Sequence, residues 1–272
     1  MNKKAILKSV MFILIATFML HTCPHALAHT YSQDGILAKT YHPTLERYCV
    51  GGEKVGWWID EEIHTNGTTL TYSFSSTDPY LTDEYRTAVI EGAELWNGIV
   101  DIINITDGTG TGKITTTYID DTTMVSRFFE CLTETDTGHL VSWTIEINRA
   151  QTITPITLAH EFGHAIGLND LYESYNSGKL MYWNEARSAT GPIAADAWGA
   201  KVITGVHSSH TWVYKYHSTN SVGNLHVKSC SQCNGWTTEV EQCTYDATNV
   251  CTKCNIPYGV QPYSVESPQT TS

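Results

Sequence analysis

Residues 160–170 read HEFGHAIGLND, which is the most specific motif in the chain. On a helix, positions four apart lie on one face, so His160 and His164 can direct their imidazole rings at one point. Two neutral imidazoles are good ligands for a zinc ion. Glu161 follows the first histidine, where its carboxylate can hold a zinc-bound water and accept its proton. The simpler alternative is an amphipathic helix that carries two surface histidines.

The second half of the stretch supplies a turn and a further ligand. Gly167 can adopt the left-handed conformation that ends a helix and turns the chain sharply. Three residues later, Asp170 can return toward the histidines and offer its carboxylate as a third ligand. Three protein ligands leave the fourth zinc position open for water or substrate, as in catalytic rather than structural sites. The stretch therefore predicts a hydrolytic zinc site with Glu161 as its catalytic base.

This stretch resembles the HExxHxxGxxH signature of the metzincin zinc peptidases, with Asp170 in place of the usual third histidine. The form HExxHxxGxxD resembles the snapalysin family of small secreted bacterial metalloproteases. The resemblance implies an α+β fold, in which a metzincin-like (zincin) domain over about residues 65–205 has a twisted mixed sheet and an active-site helix. An anionic ligand should weaken the pull of the zinc on its water. Other catalytic zinc sites use two His and one Glu, so Asp170 is compatible with activity.

Met181 follows the zinc motif at a distance that matches a second feature of metzincins. Residues 180–182 read LMY and resemble the Met-turn, in particular its matrixin form. The resemblance implies that Met181 forms an apolar floor below the zinc ligands. The alternative is that Met181 is an ordinary core residue, since methionine fills gaps in many cores.

Hydrophobic patterning predicts the remaining elements of the catalytic region. We expect strands at 69–74, 101–106, 113–119, 124–129 and 140–148, and helices at 82–99, 154–166 and 192–203. Thr82 is a good N-cap residue, and Pro155 suits the first position of the zinc helix. The strand at 124–129 is expected at a sheet edge, where a peptide substrate could add by main-chain pairing.

The two ends of the chain have distinct compositions. Residues 1–28 combine a positively charged start, an apolar run and the small-residue pattern Ala26-Leu27-Ala28, which is typical of a secretory signal peptide. The apolar run is too short for a comfortable membrane span, so we expect a secreted, extracellular protein that is cut after Ala28 and has no stable membrane anchor. The expected order is the signal peptide at 1–28, an N-terminal extension or short pro-region at 29–64, the catalytic domain at 65–206, a Cys/His-rich module at 207–262 and a disordered tail at 263–272.

The chain is acidic, with a formal net charge of −12 at pH 7. Residues 1–28 hold three lysines and no acidic residue, so their removal makes the chain more acidic still. A protein of this charge lacks the basic field with which proteins bind nucleic acid or anionic membranes. We expect a peptide or protein substrate, no nucleic-acid partner and a monomeric state; the sequence leaves calcium binding open.

Cys49 and Cys131 are the two cysteines between the leader and the C-terminal module. Secreted proteins commonly pair such cysteines, so we favour a Cys49–Cys131 disulfide, although sequence alone fixes no pairing. The alternative is that the Cys49 thiolate caps the zinc of a latent precursor, as the resemblance to matrixins would imply. The residues around Cys49 match the matrixin switch poorly.

The module at 207–262 is rich in cysteine and histidine. Two CxxC pairs, separated by 17 residues, have the spacing of zinc ribbons and fingers. We expect one or two structural zinc ions, held by the CxxC cysteines with Cys243 and some of the module's histidines. A disulfide-stapled module is the alternative, because the protein is expected to be secreted. The candidate ligands are His226, Cys230, Cys233, Cys243, Cys251 and Cys254.

Together these features predict a secreted, zinc-dependent endopeptidase in which Glu161 is the general base. Two alternatives remain open at the level of sequence. One is a non-catalytic binding protein on a metzincin scaffold, against which the intact Glu161 argues. The other is a specialised zinc hydrolase that acts on terminal or cell-wall peptide bonds.

Overall fold

The computed structural model describes residues 37–99, 102–121, 123–207 and 209–260. The expected signal peptide and the expected tail lie outside these residues. Within the described residues, no helix has both the length and the apolar character to cross a membrane.

A five-stranded mixed sheet forms the first layer of the fold. Its strands lie in the order β5-β4-β6-β8-β7; β4, β5, β6 and β8 are parallel to one another, and β7 is antiparallel to β8. The expected mixed α+β fold and the expected edge strand are therefore confirmed. The strands are β4 (Thr69–Phe74), β5 (Asn104–Asp107), β6 (Gly112–Thr117), β7 (Ser126–Thr133) and β8 (Leu140–Asn148).

Two helices pack together on this sheet. Helix α1 (Asp83–Asn97) begins at Thr82, whose side chain accepts a hydrogen bond from the backbone N–H of Tyr85. The indole N–H of Trp96 on α1 donates to the carbonyl of Ala159 on the next helix, at 2.8 Å. The two helices approach closely because α1 has a glycine, Gly92, at the contact.

Helix α2 (Pro155–Ile166) carries the zinc motif. Thr154 caps its start by accepting from the backbone N–H of Thr157, and proline occupies the first turn as expected. Most of the helix is buried, because it lies between the sheet and the loops that follow it. Gly167 ends the helix with a φ of 121°, a conformation that favours glycine.

A second sheet joins the N-terminal part of the chain to the end of the zinc motif. It has the order β1-β2-β3-β9, with β1 (Lys39–His42), β2 (Arg47–Gly52), β3 (Trp57–Ile59) and β9 (Leu168–Asn169). The segment 29–64, expected to be an extension or a pro-region, is therefore part of the main core from residue 37 onward.

The C-terminal module contains an antiparallel sheet of β10 (Trp212–Asn220), β11 (Gly223–Cys230) and β12 (Trp236–Gln242). Helix α3 (Ala194–Ile203) precedes it. The module is docked on the catalytic region, because the backbone N–H of Ala38 donates to the carbonyl of Trp236 at 2.6 Å. Cys230 and Cys233 belong to the same hydrophobic cluster as the catalytic core. The expected boundary near residue 206 is thus crossed by a continuous core.

Substituting alanine for Gly92 should destabilise the contact between α1 and α2. The added Cβ would lie 2.9 Å from the Leu158 Cβ and 2.9 Å from the Pro155 carbonyl oxygen, so the helices must move apart. We expect Gly92→Ala to lower the free energy of unfolding by about 1–2 kcal/mol, because the cost of overpacking the contact is larger than the gain in helix propensity. Urea denaturation measures this. Gly98→Ala is the control, since its Cβ would meet nothing closer than 3.4 Å; equal stability of the two variants would contradict the close approach.

Candidate active site

The structure brings three predicted ligands to one point at the end of α2. The Nε2 atoms of His160 and His164 are 3.1 Å apart. The Oδ1 atom of Asp170 lies 3.2 Å from the first of these nitrogens and 3.6 Å from the second. A tetrahedral zinc with bonds of about 2.0–2.2 Å holds its ligand atoms about 3.3–3.6 Å apart. The three atoms thus have the spacing of one face of a zinc tetrahedron.

Backbone carbonyls orient both imidazole rings. The Nδ1 of His160 lies 2.9 Å from the carbonyl oxygen of Leu180, and the Nδ1 of His164 lies 2.8 Å from that of Leu168. A carbonyl can only accept, so each Nδ1 carries the proton and donates it. In the neutral form of each ring the lone pair is then on Nε2, which is directed at the common point. Such outer contacts are the usual means of fixing a metal-binding histidine.

The Asp170 carboxylate is ionised and lies beside the Nε2 atoms of both histidines. Burial raises its pKa, but the adjacent His164 and His160 outweigh this effect and lower the pKa to about 2. Its Oδ1 is buried and accepts no hydrogen bond from the described residues. Two imidazole nitrogens and one carboxylate oxygen therefore converge on one point, a donor set that fits a divalent cation.

Glu161 is held beside this cluster by a residue that the sequence did not indicate. Its side chain is only 5% exposed, and its Oε1 accepts a hydrogen bond of 2.8 Å from the Ser126 hydroxyl. Ser126 is the first residue of β7, the edge strand. The contact fixes the expected base and also ties the edge strand to the zinc helix.

Met181 lies directly below the zinc helix. A Cβ at Gly163, between the two histidines, would come within 2.3 Å of the Met181 sulfur, so the glycine makes room for the methionine. Met181 is buried, and its carbonyl accepts from the backbone N–H of Leu171 at 2.8 Å. The loop that contains Met181 is thereby fixed to the chain that leaves Asp170.

A buried carboxylate on α3 holds the same loop. Asp196 accepts hydrogen bonds from the backbone N–H groups of Leu180 (3.2 Å), Met181 (3.3 Å) and Ile193 (2.9 Å). Burial raises the pKa of Asp196, and these hydrogen bonds oppose the rise. Since the Leu180 carbonyl orients His160, Asp196 acts on the zinc site through one intermediate residue. No local pattern in the sequence indicates this role.

The disulfide expected between Cys49 and Cys131 is absent, because both residues are free thiols in the structure. Cys49 is buried in β2, where the side-chain amide of Asn169 lies 3.9 Å from its sulfur. Cys131 lies in β7 of the other sheet. Burial raises the pKa of both thiols, which makes them poor nucleophiles and poor metal ligands at neutral pH.

Four other potential ligands converge where the module meets the catalytic core. The His207 Nε2 lies 3.1 Å from the His210 Nδ1 and 3.4 Å from the Cys230 sulfur. The His210 Nδ1 in turn lies 3.5 Å from the Cys233 sulfur. All four ligand atoms lie within 4.8 Å of one another. Burial raises the pKa of the Cys233 thiol to about 12, so a bound cation is needed to make it a thiolate.

A second cluster lies within the module. His226, Cys243, Cys251 and Cys254 form it; the His226 Nδ1 is 3.2 Å from the Cys243 sulfur and 3.6 Å from the Cys251 sulfur. The other ring nitrogen of His226 lies 3.3 Å from the Glu241 carboxylate, which directs Nδ1 at the cluster. Backbone N–H groups of Cys254 and Lys253 outweigh burial and lower the pKa of Cys251 to about 6.

The six candidate ligands of the module therefore belong to two separate sites. Cys230 and Cys233 lie together with His207 and His210, which the expected set omitted, whereas the other four form the second cluster. The HxxH spacing of His207 and His210, the latter 20 residues before Cys230, is the signal that could have found them. The Cys243 and Cys254 sulfurs are 3.7 Å apart, far from the disulfide bond length of about 2.05 Å and near the spacing of two thiolates on one zinc.

Comparison with known proteins finds similarity among solved structures. No protein-family model matches the chain, and no curated protein matches it either. Among solved structures, the chain is similar to high choriolytic enzyme 1, a hatching enzyme zinc-protease from Oryzias latipes (medaka fish), with a TM-score of 0.35 and 12% identity. The match covers 53% of this chain and 94% of that chain. Because this TM-score is low, the function must be judged from the site itself.

Removing the third ligand should remove the metal at this site. We expect Asp170→Ala to bind about one zinc ion fewer per chain than the parent protein, because two imidazoles alone hold zinc weakly. Metal analysis of the purified proteins after dialysis measures the difference. Asp136→Ala is the control, since Asp136 lies on an exposed turn. An unchanged zinc content in Asp170→Ala would exclude the third-ligand assignment.

Proposed function

We propose that this protein is a secreted zinc-dependent endopeptidase. One observation carries the proposal: His160, His164 and Asp170 present three converging ligand atoms, and the buried Glu161 follows the first ligand on the same helix. Three ligands rather than four leave a position for water or substrate, as hydrolytic zinc enzymes require. When bound, zinc would lower the pKa of a water molecule and polarise the carbonyl under attack.

Glu161 would move the proton in this reaction. Its carboxylate accepts a proton from the attacking water and later donates it to the leaving amine nitrogen. The Ser126 hydroxyl donates to Glu161 Oε1, which keeps the carboxylate in one rotamer and leaves its other oxygen for the water. Met181 and Asp196 act as positioning residues, since they support the loop whose Leu180 carbonyl orients His160.

The edge strand β7 would bind the substrate. It is one of the two outer strands of the five-stranded sheet as described, and outer strands can pair with an extended peptide through main-chain hydrogen bonds. Ser126 on this strand contacts the base, so a peptide paired with β7 would pass close to the zinc ligands. This arrangement favours an extended segment of a protein or peptide as the substrate.

Secretion is part of the proposal and rests on the leader at residues 1–28. Cleavage after Ala28 would leave every described element intact, because the first strand begins at Lys39. The cluster of His226, Cys243, Cys251 and Cys254 would hold a structural zinc, because four ligands close the coordination shell.

Replacing the base should separate metal binding from turnover. We expect Glu161→Gln to keep its zinc and to lose at least about 100-fold in kcat for a casein-type protein substrate, because proton transfer of this kind contributes about that much or more. Glu91→Gln, on the exposed face of α1, should behave like the parent protein. Zinc binding without proteolysis in the parent protein would instead favour a binding protein or a hydrolase of terminal or cell-wall peptide bonds.

Removing the hydroxyl that holds the base should have a smaller effect. We expect Ser126→Ala to lower kcat by about tenfold with KM nearly unchanged, because outer contacts of a zinc site typically contribute 10–100-fold. Steady-state kinetics on a peptide substrate measures this. Ser142→Ala, in the neighbouring strand β8, is the matched control. A Ser126→Ala enzyme as fast as the control would show that Glu161 needs no orientation by β7.

A further inference from the structure

We propose that His207, His210, Cys230 and Cys233 hold a zinc ion that staples the C-terminal module to the catalytic core and thereby holds β3 and β9, the strands beside the catalytic ligands. We call this cluster the staple site. The proposal rests on the proposed function and deepens it, because it assigns a further metal ion that supports the catalytic ligands. It concerns metal retention and local order, so it does not depend on turnover.

The donor set of the staple site fits a closed structural zinc. Two sulfurs and two imidazole nitrogens form a Cys₂His₂ set, which suits zinc better than the oxygen-binding cations. Zn–N bonds of about 2.05 Å and Zn–S bonds of about 2.3 Å predict N···N and N···S separations of about 3.3 and 3.6 Å. The structure has 3.1 Å between nitrogens and 3.4–3.5 Å between nitrogen and sulfur. All four side chains are buried, so no coordination position faces a substrate.

The staple site lies at the junction of the two regions rather than inside the module. Its histidines follow α3, and the ring of His207 packs edge-on against Trp198 of that helix, with centroids 5.4 Å apart. Cys230 is the last residue of β11, and Cys233 lies in the turn to β12. The indole N–H of Trp57 donates to the carbonyl of Cys233 at 3.0 Å. A metal ion there would tie α3, the module and β3 to one point.

From Trp57 the connection to the catalytic ligands is short. Trp57 belongs to β3, which pairs with β9 through Trp58 with Asn169 and through Ile59 with Leu168. The Leu168 carbonyl orients His164, and Asp170 follows Asn169 directly. On the other side of β3, Gly199 of α3 lies against both Trp57 and Leu168, close enough that a Cβ there would be within 3 Å of each. The staple site thus supports the strand pair from which two catalytic ligands are positioned.

The second cluster offers a natural comparison. The side chains that contact His226 are those of Glu241 and Tyr214, and Lys253 donates to Glu241. All three residues belong to the module. Loss of zinc from that cluster should therefore loosen the module without reaching β3. Equivalent substitutions at the two clusters separate a general effect of zinc loss from a specific effect on the catalytic site.

The experiment compares Cys233→Ser with Cys254→Ser in the full chain. Both variants also carry Glu161→Gln, because this substitution prevents self-digestion and removes turnover from the measurement. We expect each variant to lose about one zinc ion per chain by metal analysis. Only Cys233→Ser should speed the release of the catalytic zinc to a chromogenic chelator, by about tenfold. Only this variant should increase amide hydrogen exchange in residues 57–59 and 164–170, measured by mass spectrometry.

Three results would overturn the proposal. If Cys233→Ser keeps the parent zinc content, or if thiol titration of the unfolded parent protein shows a Cys230–Cys233 disulfide, the staple site holds no zinc. Cys233→Ser could also lose zinc while its amide hydrogen exchange in residues 164–170 and its rate of catalytic zinc release equal those of Cys254→Ser. In that case the site does not support the catalytic ligands. His210→Asn, which keeps both thiols, serves if Cys233→Ser does not fold, and the same measurements apply. A parent protein that binds zinc at the staple site but not at His160 and His164 would count against the proposed function alone.

Discussion

The structure depends on an electrostatic constraint at the end of α2. Two imidazole lone pairs and one carboxylate oxygen lie 3.1–3.6 Å apart, and the backbone carbonyls of Leu180 and Leu168 prevent the rings from turning their N–H groups inward. Electron-rich atoms at such distances repel one another unless a cation lies among them. A bound metal ion would therefore stabilise this geometry, and several surrounding elements hold it in place.

The two histidine ligands and the proposed base are each fixed by a different part of the chain. His160 depends on the loop of Met181 and, through it, on Asp196 in α3. His164 depends on β9 and on the strands that pair with it. Glu161 depends on the edge strand through Ser126. The site is preorganised by elements that are distant in sequence, which is the usual way in which proteins hold metal ligands to sub-ångström tolerances.

The sequence predicted the ligands better than their supports. His160, Glu161, His164 and Asp170 were identified because a helix places positions four apart on one face and a glycine ends it; strand β8 was found from its alternation. Ser126 and Asp196 were missed because each acts through a hydrogen bond to a residue far along the chain, and local pattern carries no such information. Strand β3 was missed because all three of its residues are buried, so it shows no alternation. The CxxC pairs marked ligands, but only the tertiary fold decides which histidines join each pair.

The contact between Trp57 and Cys233 spans 176 residues of sequence, and this separation has a consequence for folding kinetics. Contacts between distant parts of a chain form late, because the entropy of closing a long loop must be overcome first. Strand β3 therefore completes its surroundings only when nearly the whole chain is available. Since β3 pairs with β9, which precedes Asp170, we expect the chain to gain its metal-binding geometry late in folding.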